Sequence, residues 1–307
     1  MGYVAGIGGA NIDLHGRADG AVVLRDSNPG RMHLSMGGVM RNILENLARL
    51  GVPVRLASVV GDDEYGRMLR EGCRALGMNT DCLVTLPGEH SSCYVSILDG
   101  SGDMLIAMSD MHIVKQLNED FVRGCLPMLN AAELVVCDAN LSPAALRFLT
   151  QHCTRPLYLD PVSTRWAEAV RPVLGRFDTV KPNLLEMEVL AGRPIGSRAE
   201  LEAACSAVLA AGVRQVFVSL GENGLWYQGP GGALHGKARG FDRLVNATGA
   251  GDATMAGIVY AALHGLPPQD TLRFALGAGL LAVSGEDTIN PAMSAGAVNT
   301  MIKEYLL

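Results

Sequence analysis

The sequence has few aromatic residues (5%) and few charged residues (18%), and it lacks any surplus of positive charge. Lysine and arginine total 25 against 31 aspartates and glutamates, so the formal net charge is −6. Because nucleic acids and anionic membranes attract clustered Lys and Arg, this balance excludes both as main partners. Apolar residues nevertheless form 49% of the 307 residues, which is enough to bury a large core and excludes a disordered chain.

Paired cysteines and metal-ligand spacings are also absent. The seven cysteines lie between Cys73 and Cys205 without a CxxC pair, and the seven histidines show no ligand spacing. This pattern excludes a disulfide framework or a zinc site and predicts reduced thiols in a cytoplasmic protein. The sequence also lacks a signal-peptide pattern, a myristoylation pattern and an apolar run long enough to span a bilayer, so no membrane partner is expected.

Short β-rich runs, such as residues 54–60, alternate with helical stretches, such as residues 38–50. Such alternation predicts an α/β fold in which helices cover both faces of a mainly parallel sheet. Residues 14–35 and 91–110 instead carry hairpin signals, so we expect them to form a small β-sheet that projects from the edge of the core. No linker or internal repeat is visible, which indicates one domain over residues 1–307.

The strongest chemical motif is NATGAGD at residues 246–252, which precedes an apolar helical stretch. Its small residues leave backbone N–H groups approachable at the start of a helix, where the helix dipole favours an anion such as phosphate. Asp252 lies in the first turn, and a carboxylate beside an anion site can accept a proton from a hydroxyl that attacks a phosphoryl group. The pattern equally fits a tight loop in which Asp252 only complements the helix dipole, because glycine-rich turns are common.

Two further motifs follow strand ends. In KPNLLE at residues 181–186, Asn183 and Glu186 have the spacing of a helix capping box, and they can alternatively organise the water ligands of Mg²⁺. In SLGENG at residues 219–224, two glycines flank polar residues beyond a strand, where open α/β sheets bind ligands such as nucleotides. That loop is equally compatible with a plain turn into a hairpin.

Near the N-terminus, glycine pairs accompany short polar side chains. Asn11 and Asp13 follow one glycine pair, and Asn42 follows Gly37 and Gly38. Converging amide and carboxylate groups suit a polyhydroxylated ligand, because each hydroxyl both donates and accepts a hydrogen bond. Taken singly, each of these residues also fits an Asx turn or a helix cap.

In this order and spacing, the motifs resemble the ribokinase-like (PfkB) family of carbohydrate and nucleoside kinases over the whole chain. The resemblance implies a doubly wound α/β core with a β-sheet lid, formed by segments 14–35 and 91–110, through which two copies form a homodimer. It implies ATP and Mg²⁺ as cofactors and a small sugar or nucleoside as the acceptor substrate.

The resemblance also implies a role for each motif residue. Asp252 is the expected catalytic base, and the N–H groups of Gly249, Ala250 and Gly251 are expected to stabilise the phosphoryl charge. The expected acceptor-binding residues are Asn11, Asp13, Gly37, Gly38, Asn42 and, as an aromatic residue of the lid, Tyr94. The expected ATP contacts are Lys181, Ser219, Gly221, Asn223, Gly224 and Thr248, while Asn183 and Glu186 are expected to organise Mg²⁺.

Within the family, GANID at residues 9–13, RNI at residues 41–43 and DPVS at residues 160–163 resemble the subgroup that acts on pseudouridine. This implies phosphorylation of the nucleoside 5′-hydroxyl. Another nucleoside or pentose as the acceptor, and ligand sensing without catalysis, stay open as alternatives. Many family members carry an Asp that helps hold K⁺ where this chain has the neutral Asn246, so the resemblance leaves K⁺ dependence open.

Overall fold

A computed structural model describes residues 2–101 and 103–306. Gly102, which we expected in the turn of the second hairpin, lies outside the described residues, as do Met1 and Leu307 of the expected domain. Within the described ranges, no helix is both long enough and apolar enough to cross a membrane.

The described residues form two sheets and a set of α-helices. The strands are β1 Val4–Ile7, β2 Asn11–Ala18, β3 Gly30–Gly37, β4 Val54–Gly61, β5 Asn79–Leu86, β6 Cys93–Leu98, β7 Met104–Asp110, β8 Leu134–Asp138, β9 Leu157–Asp160, β10 Thr179–Val180, β11 Gln215–Ser219, β12 Leu225–Gly229 and β13 Gly232–Gly236. The helices are α1 Val39–Arg49, α2 Glu64–Ala75, α3 Glu119–Asn130, α4 Pro143–His152, α5 Thr164–Val170, α6 Leu184–Ala191, α7 Arg198–Ala210, α8 Ala250–Leu263, α9 Pro268–Val283 and α10 Ala295–Tyr305.

The main sheet has the strand order β13-β12-β11-β10-β9-β8-β1-β4-β5. Its strands from β11 to β5 in this order pair in parallel, whereas the pairs β11–β12 and β12–β13 at one edge are antiparallel. The central strands read as continuous apolar runs because both of their faces are buried, as in LVVCD of β8. Helices α3 to α7 contribute to the core on one face, and α1, α2, α8 and α9 contribute to the core on the other. The predicted doubly wound α/β fold is confirmed.

The strand order reverses between β1 and β8. From β1 the chain proceeds to β4 and β5 on one side, and later from β8 to β11 on the other side. Loops that leave such a switch point diverge and open a crevice at the carboxyl ends of the strands, where α/β proteins bind their ligands. The loops after β1, β8, β9 and β10 all start at this edge.

A separate four-stranded sheet, called the small sheet below, has the order β3-β2-β6-β7. The central strands β2 and β6 pair in parallel, and each outer strand pairs antiparallel to its neighbour. The prediction of a second sheet is confirmed, but its first segment spans Asn11–Gly37 rather than residues 14–35. Asn11 and Asp13 therefore lie on β2 of the small sheet. The polar residues that suggested a loop there form one face of a strand.

Candidate active site

Helix α8 begins at the crevice with the predicted anion-binding loop. Gly249 precedes the helix with a left-handed backbone (φ 81°), and a Cβ at this position would collide with the carbonyl oxygen of Thr288. Only glycine fits both conditions. The first N–H groups of α8, including those of Ala250 and Gly251, have no partner within the helix and point out of its N-terminus. The loop thus forms a place where backbone donors converge.

Asp252 lies in the first turn of α8 and accepts a hydrogen bond from Nδ2 of Asn42 over 2.8 Å. The buried Arg41 donates to Oδ1 of Asn42 over 2.5 Å, which fixes the amide with its NH₂ group towards the carboxylate. Burial, together with the charge of Asp160, raises the pKa of Asp252 to about 7, although Asn42, Lys181 and Arg41 act in the opposite direction. A carboxyl with such a pKa suits proton transfer near neutral pH.

Lys181 follows β10 and is buried, with its Nζ atom 3.1 Å from Oδ2 of Asp160 at the end of β9. A Cβ placed on Gly251 would lie 3.3 Å from the same Nζ atom, so the ammonium group is next to the start of α8. Burial disfavours the charged form, but the carboxylates of Asp160, Glu186 and Asp252 outweigh it and raise the pKa of Lys181. A permanent positive charge therefore lies beside the backbone donors.

Asn183 and Glu186 form a complete capping box at the start of α6. Oδ1 of Asn183 accepts from the Glu186 N–H, and Oε2 of Glu186 accepts from the Asn183 N–H. The capping interpretation is therefore correct. It leaves room for Mg²⁺, because a carboxylate oxygen has further lone pairs and this ion needs only one or two protein oxygens besides phosphate and water. Over residues 2–101 and 103–306, no cluster of three or more His, Cys, Asp or Glu residues could hold a metal by itself.

The loop after β11 adjoins this capping box, since the Ser219 N–H donates to the Pro182 carbonyl and Ser219 bridges to Asn183. The Ser219 hydroxyl is buried and, among the described residues, has no hydrogen-bond partner. Gly224 has φ 88° and packs on the backbone of Gly236 too closely for any side chain. An unpartnered hydroxyl within a glycine-rich turn fits a ligand rich in acceptor oxygens, such as ATP.

Gly221 and Asn223 are exposed on the same turn, where the Asn223 side chain accepts a hydrogen bond from Nζ of Lys237. Behind them, a cavity of about 630 Å³ opens between β13 and α9. Its lining combines apolar and basic side chains, among them Leu234, His235, Lys237, Leu272, Arg273 and Leu276. The loop after β11 therefore lies between the buried charged residues of the crevice and this cavity, which is large enough for a planar group of a ligand.

On the other side of Asp252, the expected acceptor-binding residues converge. Nδ2 of Asn11 donates to Oδ1 of Asp13 over 2.6 Å, and both side chains lie within contact distance of a Cβ placed on Gly37. Tyr94 lies across from Asp13 in the parallel pairing of β2 with β6. Burial raises the pKa of Asp13 above its ordinary value, against the effects of Asn11, His15 and Arg41.

Gly38 joins β3, which ends at Gly37, to helix α1, which carries Asn42. Its φ is 99°, and a side chain at this position would collide with the backbone of Ala10. The Asn42 N–H donates to the Gly38 carbonyl in the first turn of α1. Gly38 therefore sets the position from which Asn42 reaches Asp252.

Three polar residues that were not predicted as site residues also lie at this edge, although one of them, Asp160, belongs to the DPVS motif. The buried Asp138 ends β8 and accepts from the N–H groups of Gly9 and Met40, which ties the loop after β1 to the start of α1. Burial raises the pKa of Asp138 to about 6. Asp160 holds Lys181, and Asn140 lies against Gly9. In the sequence, the detectable sign of Asp138 and Asp160 is an acidic residue at the last position of an otherwise apolar strand, as in LVVCD and LYLD.

The remaining expected contact, Thr248, lies exposed at the rim of the crevice, where its N–H donates to Oδ1 of Asn246. Nδ2 of Asn246 in turn donates to the Glu286 carbonyl over 3.0 Å. Both polar atoms of this neutral side chain are engaged, and an N–H donor faces the carbonyl. The neutral Asn246 offers no carboxylate charge to a K⁺ ion, and no step below involves one.

Known proteins with similar sequences and folds cover nearly the whole chain. The pseudouridine kinase of Escherichia coli (strain K12) is 35% identical, covering 98% of this chain and 96% of that protein. A carbohydrate kinase from Agrobacterium tumefaciens has a TM-score of 0.88 and 26% identity, covering 100% and 98% of the two chains. A ribokinase of Arabidopsis thaliana, solved with ribose and ATP, shares the fold with a TM-score of 0.87 and 21% identity, covering 99% of each chain.

The sequence model of the pfkB carbohydrate kinase family matches residues 1–295. This family consists of phosphotransferases whose acceptor is an alcohol group of a sugar or nucleoside. The carboxylate of Asp252, the buried cation of Lys181 and the backbone donors of α8 lie at one edge of the sheet and agree with this activity. The chain belongs to the pfkB family of carbohydrate kinases.

Proposed function

We propose that the protein transfers a phosphoryl group from ATP to the 5′-hydroxyl of a nucleoside, with pseudouridine as the acceptor. The observation that carries this proposal is the Asp252 carboxyl, which Asn42 holds beside the unpaired N–H groups that begin α8. The 35% identity to a pseudouridine kinase over 98% of the chain supports this acceptor.

Asp252 acts as the general base. Its pKa of about 7 lets the carboxylate take a proton from the attacking hydroxyl near neutral pH. Asn42 donates to one carboxylate oxygen of Asp252, and among the described residues no hydrogen bond reaches the other, which can therefore face the acceptor. The proton taken from the attacking hydroxyl is therefore bound at one defined carboxylate oxygen of Asp252.

The N–H groups of Gly249, Ala250 and Gly251, with the Lys181 ammonium group, stabilise the negative charge on the transferred phosphoryl group. Preorganised donors of this kind contribute about 3–4 kcal/mol each in other enzymes. The remaining nucleotide contacts are made by Ser219, Gly221, Asn223, Gly224 and Thr248. When bound, ATP supplies the phosphoryl group and Mg²⁺ neutralises part of its charge, with Asn183 and Glu186 orienting the water ligands of the ion.

On the acceptor side, Asn11, Asp13 and Asn42 bind the sugar hydroxyls. Gly37 and Gly38 let the backbone approach the sugar, and Tyr94 contacts the acceptor from the small sheet. Amide and carboxylate groups together match hydroxyls that both donate and accept. This polar group, next to Asp252, orients the reacting hydroxyl towards the base.

A panel of acceptors tests the substrate. Purified protein with MgATP should release ADP in the presence of pseudouridine, with kcat/KM at least about tenfold above the values for ribose and adenosine. Coupled ADP detection measures the rates, and mass spectrometry identifies the phosphorylated product. Turnover of ribose or adenosine without turnover of pseudouridine would overturn the proposed acceptor.

We further propose that two copies of the chain associate through the small sheet. The strand register brings apolar side chains together on the face opposite Asp13, and three of them are largely exposed: Met32 (60%), Ile106 (63%) and Met108 (72%). Exposed apolar surface of this kind is typical of protein interfaces. A second copy covers this face by the self-complementary contact of a twofold dimer.

Met108→Lys should raise the dimer dissociation constant at least about tenfold, because it buries an unpaired charge in the interface. Light scattering over a concentration series measures this shift towards a monomer. Val84→Lys is the matched control, since Val84 is an exposed apolar residue (38%) on β5 of the main sheet. A wild-type monomer at every concentration contradicts the proposal, as does equal dissociation of both variants.

A further inference from the structure

The polar face of the small sheet extends beyond the group at Asp13. On β2, Asn11, Asp13 and His15 alternate onto the same face, because side chains on a strand repeat every second residue. Ser96 on β6 lies across from His15. His33 on β3 also lies across from His15, and its Nε2 atom is 3.6 Å from Oδ1 of Asp287 in the loop after α9. This face of the small sheet is therefore directed towards the crevice and towards the loop after α9 on its other side.

Three side chains on this face form a cluster. Nδ1 of His15 lies 2.6 Å from Oγ of the buried Ser96, which holds the imidazole in place. The Tyr94 ring meets the His15 ring edge-on, with centroids 6.3 Å apart and planes at 66°. Within the described ranges, Nε2 of His15 has no hydrogen-bond partner. The cluster thus presents a fixed imidazole atom and an aromatic ring to the crevice.

The position of the cluster follows from the strand geometry. His15 is two residues beyond Asp13, which is about 6–7 Å along an extended strand. In the proposed binding mode, with the reacting hydroxyl at Asp252 and the other sugar hydroxyls at Asn11 and Asp13, His15 is the next residue along the same face of β2. A substituent on the sugar would extend towards it, and a free pentose lacks that substituent.

We infer that His15, Ser96 and Tyr94 form a subsite for a planar, nitrogen-containing base attached to the sugar, so that the site selects nucleosides over free pentoses. This rests on the proposed kinase function and names the residues that set its specificity. The imidazole can donate to a carbonyl oxygen or accept from an N–H of the base, because the Ser96 hydroxyl can pair with either tautomer. The Tyr94 ring supplies an aromatic contact.

His15→Ala tests the subsite with pseudouridine and ribose as acceptors. For pseudouridine, kcat/KM should fall about 10- to 100-fold, mainly through KM, because the variant loses a ligand contact and its aromatic support. For ribose it should change less than about twofold. His15→Gln keeps a polar group near the same place and should recover part of the loss. His112→Ala, at an exposed histidine paired with Asp110, is the matched control and should change neither value.

Calorimetry with the same two acceptors separates this inference from the proposed function. If the wild-type protein transfers no phosphoryl group, the kinase proposal fails, but selective loss of pseudouridine binding in His15→Ala still supports the subsite. Equal weakening of both acceptors would show that His15 only holds β2 against β6 and would overturn the inference. Unchanged pseudouridine binding in His15→Ala, or no pseudouridine binding by the wild type, would overturn it as well.

Discussion

Asp252→Asn should lower kcat by about 10²- to 10⁴-fold, which is the range that a positioned general base contributes. The substitution keeps the shape of the side chain, and its amide oxygen can still accept the hydrogen bond that Asn42 donates to Asp252. The binding site therefore stays intact while the proton acceptor is lost. Calorimetric dissociation constants for the acceptor and for MgATP should stay within about tenfold of wild type.

The pH profile provides a second readout for Asp252. Because only the deprotonated carboxyl accepts the proton, wild-type kcat/KM should fall as the pH is lowered through about 7. The residual rate of Asp252→Asn should lack this dependence. Asp270→Asn is the matched control, since Asp270 occupies the first turn of α9 and is exposed. Equal loss of binding and turnover in a folded Asp252→Asn variant would show that the carboxylate is structural.

Lys181→Met should lower the free energy of unfolding by about 3–5 kcal/mol, because it leaves the buried carboxylate of Asp160 without its cation. Urea denaturation at pH 7 measures the change. Arg198→Met, which breaks the exposed pair with Glu202, should cost no more than about 1 kcal/mol. The double variant Asp160→Asn/Lys181→Met should recover part of the lost stability, because the buried charge of Asp160 is then removed together with its cation.

A loss below about 1 kcal/mol in Lys181→Met would contradict this account of the pair. The variant should also be slower in phosphoryl transfer, since the ammonium group lies next to the first turn of α8. This second effect is expected of Lys181 because its ammonium group lies beside the backbone donors, whereas Asp160 acts on the site through its charge, which raises the pKa of Asp252.

The parts of the site that could be predicted are those with a local signature. A glycine-rich turn before an apolar helical stretch, as at Gly249, is visible in the sequence because glycine is the preferred residue where a backbone turns tightly or approaches a ligand closely. The pairing of Asn183 with Glu186 follows from the three-residue spacing of a capping box. Both features depend on residues within a few positions of each other.

The parts that could not be predicted depend on which strands become neighbours. Asp138 reaches Gly9 across 129 positions of sequence, and Asn42 reaches Asp252 across 210. No local pattern encodes such contacts, which arise from the order of strands in the sheet. Helix α3 also went unpredicted, and it contains Pro127, a residue that disfavours helix interiors.

The connection between β1 and the small sheet has a mechanical consequence. Only residues 8–10 separate β1 from β2, and β3 runs directly into α1 through Gly38. These two bends touch, because Gly38 packs against the backbone of Gly9 and Ala10. The small sheet is consequently joined to the main sheet here by two short bends that touch, and Asn11 and Asp13 lie directly beyond the first of them. A tilt of the small sheet about these bends would therefore move the proposed sugar contacts Asn11 and Asp13 together with the strand that carries them.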